Sequence, residues 1–566
     1  MSDQSYYRYT TQGGVQVNRR SQLSSSDEFR RRLELLDNCP GVLLSCRMEY
    51  PGRYRPRELL LVNPPLSLHA KGQTLTVNAL NARGKVLLPT IQSAFADHSD
   101  IRISGTENQI HLVMKKSPAA MDQSEEMRTR RSGLFEILRI LIRHFASDQD
   151  SLLGLYGSFG YDLAFHLEPI QLRLPRQASQ RDLVLFFPDE ILVRDPDSGR
   201  CEIHSYDFVC ADSQGRLQTT GGLRREVPRA AFVTSSADNC VPQSDHAPGE
   251  YADIVSKAKT SFQQGDLFEV VPGQTFSMPN RARPSEIFLR LQAENPAPYG
   301  ALINLGEGEH LVSASPEMFV RVKQGRVETC PISGTIERGA DALEDSRLIR
   351  ELLNSDKDEA ELSMCTDVDR NDKSRVCVPG SVKIIGRRQV ELYSRLIHTV
   401  DHVQGQLQAP FDALDAFLTH TWAVTVTGAP KFRAMQFLED NEKTARGWYG
   451  GAFGCIGFDG NMDTGLTLRT IHLQEGLARV RVGATLLMDS DPRAEEAETR
   501  LKASALLDVL LSLQQEPAKP AALTLVQKPA EPIKLNVLMV DHQDSFVLTL
   551  ASFFRAQGAS LQTLRP

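Results

Sequence analysis

No run of apolar residues in this sequence approaches the ~18–20 needed to cross a bilayer as a helix, so no membrane partner is expected. The opening stretch "MSDQSYYRYTTQGG" has neither the basic nor the apolar region of a secretory signal. Nine cysteines, an odd number, are scattered without a C-x-x-C pair. That disfavours a zinc site or a disulfide framework and fits reduced thiols in a cytoplasm. Nor is there an excess of positive charge: the formal charge of −7 gives no reason to expect nucleic acid as a partner. The arginine clusters "FRRRL" and "RTRRSG" are local, and charge patterning alone reads them as solvated helix faces. No internal repeat is visible.

What remains is a composition of 41% hydrophobic and 24% charged residues, that of a soluble globular protein. At ~100–200 residues per domain the length suggests roughly three to five units, a loose guide because large single-core enzymes exceed it. Residues 1–208 mix helical spacing ("GLFEILRILIRHF") with strand-like runs ("RDLVLFFPDEILVR", "CEIHSYDFV"). Residues 209–250 turn polar and rich in Gly, Ser and Asp, a connector or surface loop. Most polar residues of interest lie in 251–513. Prolines 517, 520, 529 and 532 make 514–533 an extended linker. Residues 534–566 read as strand, turn, helix and strand-like run, the opening of an α/β unit.

Two stretches bring acids and lysines to one helical face. "AEEAETRLKASALLDVLL" places Glu495, Glu498 and Lys502 at spacings of three and four, with Ala505, Leu506, Val509 and Leu510 as the buried stripe. "NSDKDEAELSMC" places Lys357 and Glu361 four apart. Such faces could supply carboxylates for Mg²⁺ and lysines for an anion; solvated ion-paired surfaces have the same spacing. Glycines in "WYGGAFGCIGF" and "RVGATLL" mark bulges or close approach inside β-rich runs. There exposed N–H groups can hold a carboxylate, though tight strand packing uses glycine in the same way. "VTVTGAPK" suits a helix start beside an anion or an ordinary capped turn.

Six motifs then occur in a family's order: "PISGTIERG", "DVDRNDKSRVCVPGSV", "YSRLIHTVDHVQG", "VTGAPKFRAMQ", "WYGGAFG" and "AETRLKA". Together they resemble the chorismate-utilising enzymes, and most closely the anthranilate synthases in their fused form, to which "YTTQGGVQVNRR" and "EYPGRY" are also similar. The resemblance covers nearly the whole chain. It implies an α+β fold, the anthranilate synthase component I fold of two β-sheets in a sandwich wrapped by helices. "VLMVDHQDSF" resembles the first strand and turn of a class I glutamine amidotransferase, so 534–566 would be a fragment of a flavodoxin-like α/β unit.

By that resemblance Glu361 and Glu498 hold Mg²⁺, which holds the ring carboxylate of chorismate, and Asp358 and Glu495 bind its waters. Arg469, Tyr449 and the turn Gly483, Ala484 and Thr485 meet the enolpyruvyl carboxylate. The family turn has glycine where Thr485 stands, and the backbone contact survives if the local φ is negative. Gly334 and Thr335 line the ring, and Lys502 binds a carboxylate. Glu317 of "SASPEMF" is the general acid for the departing hydroxyl, with Thr425 in the same catalytic set, and His398 assists removal of the proton at ring carbon 2. Glu269 stands where water-adding relatives have a lysine base, which disfavours isochorismate synthesis and suggests a role in steering ammonium. Ser333 replaces the nucleophilic lysine of para-directing relatives, so the ortho product is favoured.

"GVLLSCRMEY" and "NPAPYGALINL" resemble segments that bind tryptophan in feedback-inhibited members. They point to Ser45, Pro298 and Tyr299, with the serine role open between Ser45 and Cys46. The expected function is Mg²⁺-dependent conversion of chorismate and ammonia to anthranilate and pyruvate by a cytoplasmic homodimer. The alternatives are a 2-amino-2-deoxyisochorismate synthase and a non-catalytic tryptophan-binding subunit. The 33 residues from Lys534 are too few for a glutaminase, and no cysteine follows Cys455. The chain as given is therefore expected to be cut inside a second enzyme and to use free ammonia, whereas a longer parent would draw it from glutamine.

Overall fold

The computed structural model describes residues 5–115, 125–130, 133–211, 215–235, 241–515, 536–540, 554–555 and 560–564. They divide into two units, Met1–Gln515 and Glu516–Pro566. The first is built on two sheets of 13 strands each. In one sheet, strands from before residue 212 meet strands from after residue 242 where Gly41–Cys46 pairs with Tyr299–Gly306. In the other, the meeting is between Gly154–Phe159 and Ala452–Gly457. Both joints are antiparallel, so each sheet is woven from both ends of the chain.

The central strands of the first sheet are apolar on both faces, which explains why they read as continuous apolar runs rather than alternating ones. Successive side chains of a strand point to opposite faces. Val42, Leu61, Ala301, Ile303 and Leu311 thus enter the core shared with the second sheet, while Leu43, Leu60, Leu302 and Val312 face a separate core under helices. Phe29 and Leu33 of Ser26–Leu35, Ile287 and Leu291 of Pro284–Glu294, and Leu506 and Leu510 of Pro492–Gln515 close that outer core. The sandwich of two sheets wrapped by helices is the fold expected from the sequence.

Two details differ from that reading. On Pro492–Gln515 the buried stripe runs through Thr499, Ala503, Leu506, Val509 and Leu510. Ala505, expected in it, is only half-buried because it turns toward a cavity beside Lys502. The "RTRRSG" arginines are not simply solvated: Arg130 pairs at 2.6 Å with Asp415, whose side chain is 0% exposed. Within the expected connector, Leu217–Thr219 pairs with Cys201–Ala211, and Gln243–Ser244 with Gly273–Pro279.

In the second unit Asn536–Val540 pairs in parallel with Ser560–Leu564, an arrangement that needs a crossover rather than a tight turn. The proline-rich linker and most of the turn and helix expected between these strands lie outside the described residues.

Candidate active site

Two of the points at which the chain passes from one sheet to the other are neighbours, and each of these crossings carries an ionisable side chain. Pro316 and Glu317 link Glu309–Ser315 of the first sheet to Met318–Lys323 of the second. Residues 467–469, ending in Arg469, link Met462–Leu466 of the second sheet to Thr470–Gln474 of the first. The crossings are tied together: Leu466 N–H donates to the Glu317 carbonyl at 3.1 Å, and Ala314 N–H to the Arg469 carbonyl at 3.2 Å. Arg469 has φ 48°, the left-handed region that a non-glycine residue seldom adopts and that functional sites tend to hold.

Beside the crossings lies a cavity of about 300 Å³. Its walls include Glu317, Gly334, Thr335, Asp358, Glu361, His398, Thr425, Tyr449, Arg469, Gly483, Thr485, Glu498 and Lys502. The residues expected from the sequence therefore converge from nine separate stretches of the chain between Glu317 and Lys502. Glu495 is buried just beyond the wall, its Oε1 3.3 Å from Lys357 Nζ. Ala484 also stands behind it, and its N–H is taken by the Tyr251 hydroxyl at 3.1 Å, so it is not free for a substrate carboxylate. Glu269 is fully buried beside Cys365, with Sγ 3.9 Å from Oε1, and is not among the lining residues. Thr485 is not among the residues with positive φ, so its side chain does not strain the turn.

Glu317 is held by Thr425, whose hydroxyl donates to Oε1 at 2.8 Å. Burial pushes its carboxyl up to about 8; Asp369 adds to the shift, while Thr425 and Arg469 oppose it. Such a group is protonated at neutral pH and can donate. His398 is paired across the strands with Thr335. Its Nε2 is 2.8 Å from an Arg469 nitrogen, and its Nδ1 is 3.0 Å from Thr335 Oγ1 and 3.3 Å from the Gly334 carbonyl. Arginine only donates, so Nε2 is the acceptor and Nδ1 carries the proton. Burial, and then Arg469, hold His398 well below the usual histidine range, keeping the ring neutral.

The two acid-and-lysine faces come from Asp356–Ser374, capped by Ser355, and Pro492–Gln515. Glu361 accepts from Ser333 Oγ at 2.9 Å and lies 3.7 Å from Lys357 Nζ. Burial raises its carboxyl to about 7 against the pull of Lys357 and Ser333. Glu498 pairs with Lys502 at 2.6 Å; burial raises it, but Lys502 outweighs this and the net direction is down. With Glu317 neutral, the cations Lys357, Arg469, Arg481 and Lys502 offset the remaining carboxylates, a balance that favours an anionic ligand.

Two glycines are fixed by space. Gly334 has φ +79° and any Cβ there would lie 2.8 Å from Thr399 Oγ1 and 3.1 Å from Asp358 Cβ. At Gly483 a Cβ would meet the Pro272 carbonyl at 2.8 Å and the Tyr449 hydroxyl at 3.2 Å. Gly334→Ala is expected to cost about 1–3 kcal/mol of stability and to displace Asp358; urea unfolding of the variant checks the first effect.

Ser333 was legible only as a departure from a family motif, yet it fixes Glu361. Arg481 was missed; it stands two residues before Gly483 on Leu477–Gly483, and the period of two was its signal. Tyr393, with its ring 5.2 Å from His398 and its hydroxyl 2.6 Å from Glu391 Oε2, had none. Of the segments read as tryptophan-binding, Ser45 pairs with Gly300 and takes part in a polar cluster with Gln292 and Glu58 at 2.8 and 3.1 Å. Tyr299 packs instead with Tyr54, Met318 and Cys46. Cys46, not Ser45, shares its side of the sheet, because neighbours along a strand alternate. Pro298 is buried next to it.

A mixed cationic and carboxylate cavity with a buried neutral acid defines a site for acid-assisted chemistry on a small polyanion. The chain belongs to the chorismate binding enzyme family, which matches residues 95–508. It is 53% identical over 559 residues to "Anthranilate synthase" of Azospirillum brasilense, covering 99% of this chain and 75% of that protein. It is 32% identical to "Anthranilate synthase component 1" of Vibrio cholerae, covering 84% of this chain and 93% of that one. The crystal structure of anthranilate synthase component I from Streptococcus pneumoniae matches with a TM-score of 0.60 at 24% identity, over 81% of this chain and 95% of the other; at that identity it speaks for the fold. No helix among the described residues is long and apolar enough to cross a membrane.

Proposed function

We propose that this chain is an Mg²⁺-dependent anthranilate synthase, a lyase that converts chorismate and ammonia to anthranilate and pyruvate in tryptophan biosynthesis. The observation that carries the chemistry is the pairing of a buried, protonated Glu317 with Arg469 at adjacent sheet crossings of one anion-friendly cavity. Arg469 and Tyr449 take the enolpyruvyl carboxylate, the guanidinium in a two-point contact. Gly334 and Thr335 line the ring, and Lys502 meets a carboxylate.

Glu361 and Glu498 would hold the metal, with Asp358 and Glu495 near its waters. Lys357 already bridges Glu361 and Glu495 at 3.7 and 3.3 Å as a cation would. Among the described residues no group of three or more His, Cys, Asp or Glu could cage an ion. That donor set suits Mg²⁺, which uses one or two carboxylates together with waters and substrate oxygens. When bound, the ion offsets negative charge on the ring carboxylate.

Ammonia adds at ring carbon 2 while Glu317 protonates the hydroxyl leaving carbon 4, because hydroxide alone is a poor leaving group. The added nitrogen gives up one proton as it becomes an amine, which balances the one given to the hydroxyl. Loss of the carbon 2 proton with pyruvate then restores aromaticity. His398 can assist once the substrate carboxylate draws Arg469 away from Nε2. Since Glu317 must be protonated, the rate is expected to hold below about pH 8 and to fall roughly tenfold per unit above it; a pH profile of kcat at saturating ammonia checks this.

Buried Glu269 would act on ammonium from behind the cavity rather than on chorismate. Tryptophan would bind on the Pro298, Tyr299 and Cys46 side of the first sheet, with Ser45 behind it. We place the enzyme in the cytoplasm as a homodimer. We read 534–566 as the start of a glutamine amidotransferase, so that ammonia comes from glutamine where that partner is complete and from solution otherwise.

Incubation with chorismate, Mg²⁺ and ammonium tests the reading. Fluorescent anthranilate and pyruvate in equal amounts are expected. A product that keeps the enolpyruvyl arm would make it a 2-amino-2-deoxyisochorismate synthase, and tryptophan binding without turnover a regulatory subunit.

A further inference from the structure

Glu317 faces two cavities. The second, about 30 Å³, lies on the side away from the proposed substrate site and is walled by Glu317, Thr425, Asp369, Asp372, His420 and Lys431. The chemistry above uses only the first two of these. Behind them is a buried cluster. Lys373, 0% exposed, donates to Asp369 Oδ2 at 2.8 Å and lies 3.3 Å from His420 Nε2. Thr329 Oγ1 also donates to Asp369 Oδ2 at 2.8 Å. His420 Nδ1 lies 2.6 Å from the Ala416 carbonyl; a carbonyl only accepts, so Nδ1 carries the proton and Nε2 is the acceptor for Lys373. Asp372 is engaged by Lys431 at 2.6 Å. These bonds leave Asp369 Oδ1 without a partner that donates to it, 3.4 Å from His420 Nε2.

A cavity of this size holds about one water, and a buried water needs two to four polar partners. Glu317, Asp369 and Thr425 offer them. We propose that the small cavity is a water site joining Glu317 to the Asp369–Lys373–His420 cluster, with Asp369 as a positioning residue that keeps the general acid protonated between turnovers. The water donates one hydrogen to the rear oxygen of the Glu317 carboxyl and the other to Asp369 Oδ1, so the single carboxyl proton stays on the front oxygen. The negative Asp369 then disfavours ionisation of Glu317 from the rear, while the front O–H is kept for the leaving hydroxyl.

The charges around Glu317 agree with this. Cys365, Asp369 and Asp372 face it from Asp356–Ser374, His420 and Lys431 from the segment beyond Ala413–Thr419, and Arg469 from the other crossing. Burial raises Glu317 most, Asp369 raises it further, and Arg469 lowers it.

The inference rests on Glu317 being the acid, and the test separates the two. In Asp369→Asn/Lys373→Met the ion pair is removed as a unit, which spares the fold an unpaired buried charge. Its basic limb of kcat should move down by about one pH unit with the chorismate KM unchanged. A limb that stays in place, even with a slower rate, overturns the proposal, since a structural role would not move it. A crystal structure of the unaltered protein should show a water between Glu317 and Asp369; a dry cavity overturns the proposal and decides the matter if the double variant does not fold. Glu317→Gln is measured alongside. Full activity there sinks the general-acid reading itself, whereas an inactive Glu317→Gln with an unmoved limb in the double variant sinks only this inference.

Discussion

Glu317→Gln should lower the rate of anthranilate formation by about 10²–10⁴-fold and leave chorismate binding nearly intact. Glutamine has the same shape and can still accept from Thr425, which holds Oε1 at 2.8 Å, so the wall of the cavity is preserved. What it lacks is a transferable proton. A group pushed up to about 8 by burial is otherwise well matched to protonating a departing hydroxyl near neutrality. Steady-state fluorescence of anthranilate gives kcat, and calorimetry with chorismate gives binding. A variant that lost binding while keeping its maximal rate would place Glu317 in recognition rather than in acid chemistry.

Arg469→Lys is expected to reduce kcat/KM by about 100-fold, close to 3 kcal/mol, since lysine cannot copy a two-point contact with a carboxylate. Most of the loss should appear in KM. The substitution keeps the positive charge and asks no more of the backbone at φ 48°, so the fold should survive. It also removes the partner 2.8 Å from His398 Nε2. Because lysine keeps the positive charge that, after burial, lowers His398, its titration followed by NMR should stay below the usual histidine range. Unchanged kcat/KM in Arg469→Lys would show that the enolpyruvyl carboxylate binds elsewhere.

The sequence carried the acids and lysines of the two helices by spacing, because the i, i+4 repeat of Lys357 with Glu361 and of Glu498 with Lys502 is local. It could not say that both faces look into one cavity; only the motif order suggested that. Glu317, His398 and Arg469 lie on different strands and crossings, so their meeting depends on sheet order, which no local pattern encodes. The same limit hid the cluster behind Glu317. Asp369 and Lys373 have the spacing of a surface ion pair, yet Lys373 is 0% exposed, because that face of the helix is covered by the segment around His420. Likewise Ser45 and Cys46 are adjacent in the chain but serve opposite faces of a sheet, and only the partner strand decides which meets Tyr299.

A crystal structure of Glu317→Gln soaked with chorismate and Mg²⁺ tests the central claim most directly. The ring carboxylate should lie on the ion held by Glu361 and Glu498, the enolpyruvyl carboxylate on Arg469 and Tyr449, and the carbon 4 hydroxyl against residue 317. Chorismate seated with its hydroxyl away from residue 317, or outside the cavity, would contradict the account.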